Sequence, residues 1–207
     1  ASLSAVKNGK CVDTSMGLTP LEGVIMGTRS GDIDPAFVEY LCNKENLTVS
    51  EVLNILNKKS GMLGMTGISS DYRDVSAAAE AGNQDAINCL EAYAYRIIKY
   101  IGSYIAAMGG VDVITFTAGL GENAIPLRET ICKAFEFMGL EFDSEANNCR
   151  GVEKIITKEG SKITACVIPT NEEIAICEET VELVKGNKKQ FKKQLTILTF
   201  PGIIGKV

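Results

Sequence analysis

The chain has 207 residues, of which 45% are hydrophobic and 23% charged, with a formal net charge of −5. That length buries a core in one large domain or two small ones, and the mild acidic excess argues against a nucleic-acid partner. No histidine is present, which excludes imidazole acid–base chemistry and His-ligated metal from this chain, and seven widely spaced cysteines without a CxxC pair read as free thiols of a reducing, cytoplasmic setting.

The chain opens at Ala1 rather than Met and runs directly into a strand-like segment, which points to a fragment with no signal peptide in view. Residues 1–6 and 10–14 flank Asn8-Gly9, a pair that tolerates positive φ at both turn positions, so a β-hairpin is expected. Residues 13–35 are polar and glycine-rich without a clean period, and read as a long structured loop with room for one short helix. Thr48-Val-Ser-Glu51 is a capping box, with Val49, Val52, Leu53 and Leu56 as the apolar face behind it. Residues 71–81 read as a helix stopped by Gly82.

Ile87, Leu90, Ala94, Ile97, Ile101, Ile105 and Met108 recur at three- and four-residue steps up to Gly109-Gly110, the mark of a long amphipathic helix. Residues 111–117 (VDVITFT) read as a buried strand, 119–123 (GLGEN) as a turn, and 124–138 as a helix. In that helix Leu127, Ile131, Ala134, Phe135 and Met138 face inward. Residues 154–156 and 164–168 look like strands, and residues 170–173 (TNEE) open a last helix with Ile174, Cys177, Val181 and Val184 inward. After Lys185 the tail is lysine-rich and then apolar, and LTILTF (195–200) is an aggregation hazard if exposed. No apolar run approaches the ~20 residues of a membrane span. Helices interleaved with strands predict an α/β fold.

Four segments carry candidate chemistry. At Gly119-Leu-Gly121 the glycines allow close backbone approach to an anion, yet an ordinary tight turn accounts for them too. Gly119-x-Gly121-x-x-Ala124 also matches a dinucleotide fingerprint, with Glu141 and Asp143 near the place of a ribose-binding acid. In residues 170–173, Thr170 as N-cap and Glu173 as its partner leave Glu172 free for Mg²⁺. Arg29, between Gly27 and Gly31, suits a planar oxyanion, or an ion pair with Asp32 or Asp34. Asp71 serves as a helix cap or accepts a ribose hydroxyl, with Arg73 beside it.

Taken together, residues 13–35 (DTSMGLTPLEGVIMGTRSGDIDP), 69–74 (SSDYRD), 109–123 (GGVDVITFTAGLGEN) and 168–173 (IPTNEE) resemble the motifs of the acetate kinase family, in that family's order, over residues 1–184. The resemblance implies an actin-like, sugar-kinase-like α/β fold (ribonuclease H-like) with a mixed sheet flanked by helices. It implies that residues 1–184 are the C-terminal, nucleotide-binding half of an enzyme that transfers the γ-phosphoryl group of ATP to acetate or another short-chain carboxylate, giving ADP and acetyl phosphate. By motif match Arg29 is the transition-state arginine. Asp71, Tyr72, Arg73, Gly119, Leu120, Gly121, Glu122 and Asn123 hold the nucleotide, and Glu172 serves Mg²⁺. The partners implied are the missing N-terminal half, which carries the family's histidines and acyl site, and a second subunit in a homodimer, for which the helix 87–108 offers a surface. The chain alone is expected to be inactive. The other readings are a nicotinamide-dependent oxidoreductase fragment and a non-catalytic nucleotide-binding or dimerisation module. Residues 185–207 run past the family's usual end.

Overall fold

The computed structural model describes residues 1–185 and the strand at 203–206, so the apolar stretch 195–200 lies outside the described residues. The chain divides into two compact units. One comprises residues 1–3 and 14–106, the other residues 4–13 and 107–207.

The first unit is helical. After a loop with no helix in it, α1 (Ala36–Glu45), α2 (Val49–Lys58), α3 (Gly61–Thr66), α4 (Tyr72–Glu80) and α5 (Gln84–Met108) follow in order. Neither α1 nor α3 was visible in the sequence pattern. Thr48 and Glu51 form the expected capping box. The Glu51 N–H donates to the Thr48 hydroxyl at 3.3 Å, and the Thr48 N–H donates to the Glu51 carboxylate at 2.8 Å. Only Val52 and Leu56 of the predicted face are buried, while Val49 and Leu53 are exposed. Asp71 caps α4, and Gly82 at φ 88° follows its end.

The long helix α5 forms as the periodicity demands. It buries Ala86, Cys89, Tyr93, Ala94, Ile97, Ile101, Tyr104, Ile105 and Met108, a stripe at three- and four-residue steps. This face is buried within the chain itself, while Tyr95 on the other side of α5 is exposed.

The second unit is built on a six-stranded mixed sheet. Its strands are β1 (Ser4–Lys7), β2 (Lys10–Thr14), β3 (Val113–Phe116), β4 (Lys154–Ile155), β5 (Thr164–Val167) and β6 (Ile203–Lys206), in the order β2-β1-β6-β3-β5-β4. Asn8 and Gly9, at φ 52° and 70°, make the expected hairpin turn between β1 and β2. Strands β3 and β5 pair in parallel, with Ile114 opposite Ala165 and Phe116 opposite Val167, all four buried. Strand β6 runs parallel to β1 and antiparallel to β3. Helices α6 (Ala118–Asn123), α7 (Ile125–Lys133) and α8 (Glu172–Val184) complete the unit.

Three expectations are corrected here. The segment 119–123 is the short helix α6 rather than a turn. The helix expected over 124–138 is α7, followed by a separate 3₁₀ turn at Glu136–Met138 that ends on Gly139 at φ 94°. Helix α8 forms, but Ile174, Cys177, Val181 and Val184 are exposed, because no described residue covers that face. Among the described residues no helix is long and apolar enough to cross a membrane.

Ile101→Ala is expected to destabilise the chain by about 2–5 kcal/mol, the usual cost of truncating a large aliphatic core side chain. Tyr95→Ala, on the exposed side of the same helix, should stay within roughly 0.5 kcal/mol. Urea unfolding of the two variants checks the assignment. Equal effects would contradict α5 as a core helix.

Candidate functional site

In the first unit the candidate residues sit on one braced loop. The Met26 N–H donates to the Arg29 carbonyl at 3.1 Å, the Ser30 N–H to Leu56 O at 2.9 Å, and the Ser60 and Met62 N–H groups to Thr28 O and Met26 O at 3.0 and 2.9 Å. The Thr28 hydroxyl adds a bond to Asn57 O at 2.9 Å. Gly61, at φ 61°, lies so close beneath the loop that a Cβ there would fall 2.1 Å from Met26 O and 2.7 Å from Arg29 O. Only glycine meets both demands.

Arg29 itself is half-buried. Its one side-chain contact among the described hydrogen bonds is a weak one, Nη1 to Met26 Sδ at 3.8 Å. The alternative ion pairs are not formed. Asp32 is engaged elsewhere: its carboxylate accepts from Gly23 N at 2.8 Å, Tyr100 Oη at 2.6 Å and Arg96 Nη1 at 3.3 Å. Burial, and then the bond to Asp32, raises the Tyr100 phenol above its ordinary value, so it stays a donor. Asp34, just before α1, accepts from Ala36 N at 2.9 Å. Arg29 is therefore a positioned cation with no carboxylate at ion-pair distance among the described residues.

The segment 69–74 packs on the same loop, since a Cβ at Gly27 would lie 2.4 Å from Ser70 O. Asp71 caps α4 through the Arg73 N–H at 2.8 Å, and its carboxylate is clasped by Arg73 Nε at 3.1 Å and Nη2 at 2.6 Å. These bonds hold the Asp71 carboxyl down at about 2, from an ordinary 3.8. Arg73 is exposed, so the pair stands at the surface. Tyr72 turns inward, its ring 6.2 Å from that of the buried Tyr93.

In the second unit, β3 leads through the buried Thr117 to Ala118, a non-glycine residue at φ 58°. This left-handed residue turns the chain sharply into α6, a strained conformation of the kind that concentrates at functional sites. The two glycines of α6 differ. A Cβ at Gly119 would meet nothing within 4 Å, whereas at Gly121 it would press on the Phe116 backbone at 3.0 Å. Gly121 thus allows helix to approach strand, and Gly119 faces open space. Leu120 is half-buried and its carbonyl accepts from Ala124 N at 2.9 Å. The Asn123 amide folds back onto Gly119 O at 2.8 Å.

Glu122 is engaged with a distant segment. Its carboxylate accepts from Thr170 N at 2.9 Å and Thr170 Oγ1 at 3.1 Å. This link joins two motifs 48 residues apart, and nothing local in the sequence announces it. It also corrects the capping expectation. Thr170 is taken by Glu122, so the cap of α8 is Asn171, which accepts from Ile174 N at 3.1 Å. Glu172 and Glu173 both stand exposed in the first turn of α8. Among the described residues no cluster of three or more Cys, Asp or Glu is placed to hold a metal. A Mg²⁺ here would use one carboxylate with water and phosphate oxygens, and the exposed Glu172 fits that pattern.

The site residues therefore form two groups. Arg29, Asp71, Tyr72 and Arg73 belong to the first unit, and Gly119, Leu120, Gly121, Glu122, Asn123 and Glu172 to the second. Comparison with known proteins gives these groups a common origin. A family model described as the acetokinase family matches residues 1–178. The chain belongs to the acetokinase family. It is 61% identical to the acetate kinase of Lachnoclostridium phytofermentans over 184 residues, covering 89% of this chain and 47% of that protein. The crystal structure of Porphyromonas gingivalis acetate kinase superposes with a TM-score of 0.84 at 46% identity, covering 88% of this chain and 48% of that one. A propionate kinase from Francisella tularensis gives 0.80 at 40%, covering 86% and 45%. The chain spans about half the length of the curated relatives it matches.

Family membership agrees with the geometry in removing the dinucleotide reading. In a dinucleotide fingerprint the glycines form the turn between a strand and a long helix. Here both lie inside the six-residue α6. The supposed ribose acid, Asp143, is spent in a turn, accepting from Glu145 N and Ala146 N at 3.0 and 2.9 Å.

The glycine contrast yields a test. Gly121→Val is expected to cost about 1–3 kcal/mol through overpacking against β3. Gly119→Val should leave stability within roughly 0.5 kcal/mol. Thermal unfolding of both variants distinguishes the packing glycine from the open one.

Proposed function

We propose that residues 1–184 are the nucleotide-binding half of an acetate kinase, working with the remaining half of the enzyme. The reaction is reversible transfer of the ATP γ-phosphoryl group to acetate or another short-chain carboxylate. A carboxylate oxygen attacks the γ-phosphorus as the bond to the β–γ bridging oxygen breaks, and ADP and acetyl phosphate result. Residues 185–207 follow that half, and their strand β6 joins its sheet. The whole enzyme works in the cytoplasm as a homodimer.

The observation that carries this reading is Arg29: a guanidinium on a braced loop, with no carboxylate at ion-pair distance among the described residues. Phosphoryl transfer demands little covalent chemistry of a protein. It needs donors already aimed at the equatorial oxygens, where charge spreads in the transition state. An arginine satisfied by Asp32 or Asp34 would first have to break that pair. The Gly119 end of α6, with open space before it, accepts the nucleotide, and Asn123, bonded back to Gly119 O, stiffens the turn. Asp71 and Arg73 hold the nucleoside and Tyr72 supports them from the Tyr93 side. Glu172 would hold Mg²⁺, whose charge would offset that of the phosphates.

Calorimetric titration of this chain with Mg-ATP should show binding that Gly119→Val removes while the fold persists. Acetyl phosphate synthesis is expected only when the remaining half is supplied. In the whole enzyme Arg29→Ala should lower kcat by about 10³–10⁵ with KM for ATP changed a few-fold, because the contact is made in the transition state. Arg29→Lys should recover little, since an ammonium lacks the planar fork. A stable Arg29→Ala enzyme with near-normal kcat would remove Arg29 from the mechanism.

A further inference from the structure

Arg128, on α7, is the largest fully buried side chain among the described residues. Among the described residues, no carboxylate lies within ion-pair distance of it. A buried cation without a counter-ion is costly, and such groups survive only where dipoles replace the lost water. Here they do. Nε donates to Asn147 Oδ1 at 2.8 Å, Nη1 to Gly121 O at 2.9 Å, and Nη2 to Asn147 O and Cys149 O at 2.9 and 2.7 Å. Burial lowers its pKa, yet a guanidinium remains charged in a protein.

The placement of these bonds is informative. The Gly121 carbonyl lies in the last turn of α6, where a helix supplies no partner of its own. Arg128 fills that vacancy from beneath. The second anchor, Asn147, is itself buried and held by its amide to Ile125 O at 3.1 Å. The fork therefore joins α6, the start of α7 and the loop 147–149 into one rigid piece. In the same short helix, a Cβ at Gly119 would meet nothing beyond its own turn within 4 Å.

We propose that Arg128 is a positioning residue of the nucleotide site: its fork fixes the α6 turn, and its uncompensated charge favours a polyphosphate over an uncharged nucleoside at that turn. The inference rests on the reading of α6 as part of the nucleotide site. A low-dielectric surround leaves the charge poorly screened, so it acts on a ligand it does not touch. A purely structural arginine would affect both kinds of ligand alike.

The test is calorimetry of the full chain with Mg-ATP and with adenosine, for the parent and for Arg128→Lys, Arg128→Met and Asn147→Asp. Arg128→Met should weaken Mg-ATP about tenfold more than adenosine, the order of effect expected when one poorly screened charge near a polyanion is removed. Arg128→Lys keeps the charge and loses the fork, so it should weaken both ligands and preserve their ratio. Asn147→Asp sets a carboxylate against Nε, keeps Arg128, and should lower the ratio as Arg128→Met does. That variant decides the matter alone if Arg128→Met fails to fold. An unchanged ratio in Arg128→Met, or in Asn147→Asp where only that variant folds, overturns the inference while leaving the nucleotide site standing. A parent chain that binds neither ligand overturns the reading of α6 and the inference with it.

Discussion

Parallel pairing of β3 with β5 governs the second group of site residues. Two strands that run the same way end at the same edge of a sheet, so the segments that follow them emerge side by side. The Ile168 N–H still bonds Phe116 O at 2.9 Å at that edge. Beyond it one chain turns into α6 and the other into α8. Glu122 and Thr170 meet only because of this pairing, and their bond holds the two turns together. Gly121 serves the same end, letting α6 settle against the Phe116 backbone. Remove the pairing, and the residues of GLGEN and PTNEE are unrelated turns.

The first group depends on a different device, the diversion of acids away from Arg29. Two aspartates follow it within five residues, and either could have quenched it. Asp32 is drawn off by Arg96 and Tyr100 on α5, Asp34 by the first turn of α1. The helix that supplies the core stripe thus also keeps the arginine available. Its apolar positions bury against the rest of the chain, while Arg96 and Tyr100, off the fully buried stripe, reach the loop. Stability and the role proposed for Arg29 share one element here, and the half-buried Asp32 is where they meet.

Arg29 and Arg128 show charge handled by geometry rather than by pairing. Among the described residues, the half-buried Arg29 has no acid at ion-pair distance. Arg128 has none in the interior and is satisfied by carbonyl dipoles. Asp71 and Arg73 do the opposite, pairing closely at an exposed helix end where a bond of this kind is readily exchanged for one to a ligand. The proposed function would draw on unpaired cations near a polyanion and on loosely held polar groups around its neutral part.

Local features of the sequence were sufficient wherever the determining interaction spans a few residues. The Asn8-Gly9 hairpin, the Thr48–Glu51 capping box, the stop at Gly82 and the long stripe of α5 all form as read, because backbone sterics, caps and a 3.6-residue period act within one turn or two. Order and content of the motifs also revealed the family. Contacts across long separations were not legible. Thr170 had a plausible partner three residues on, and the fold gave it Glu122 instead, because sheet pairing delivers a carboxylate that local spacing does not know of. Helix α6 reads as a turn because two glycines weaken helix propensity, yet packing on β3 needs a glycine there and rewards the helix. The apolar face of α8 follows its period correctly and still stands exposed, since periodicity states which side is apolar but not what covers it. Arg128 looks in sequence like any surface arginine of a helix. Only tertiary structure, by closing Asn147 and Cys149 over it, makes it a buried charge.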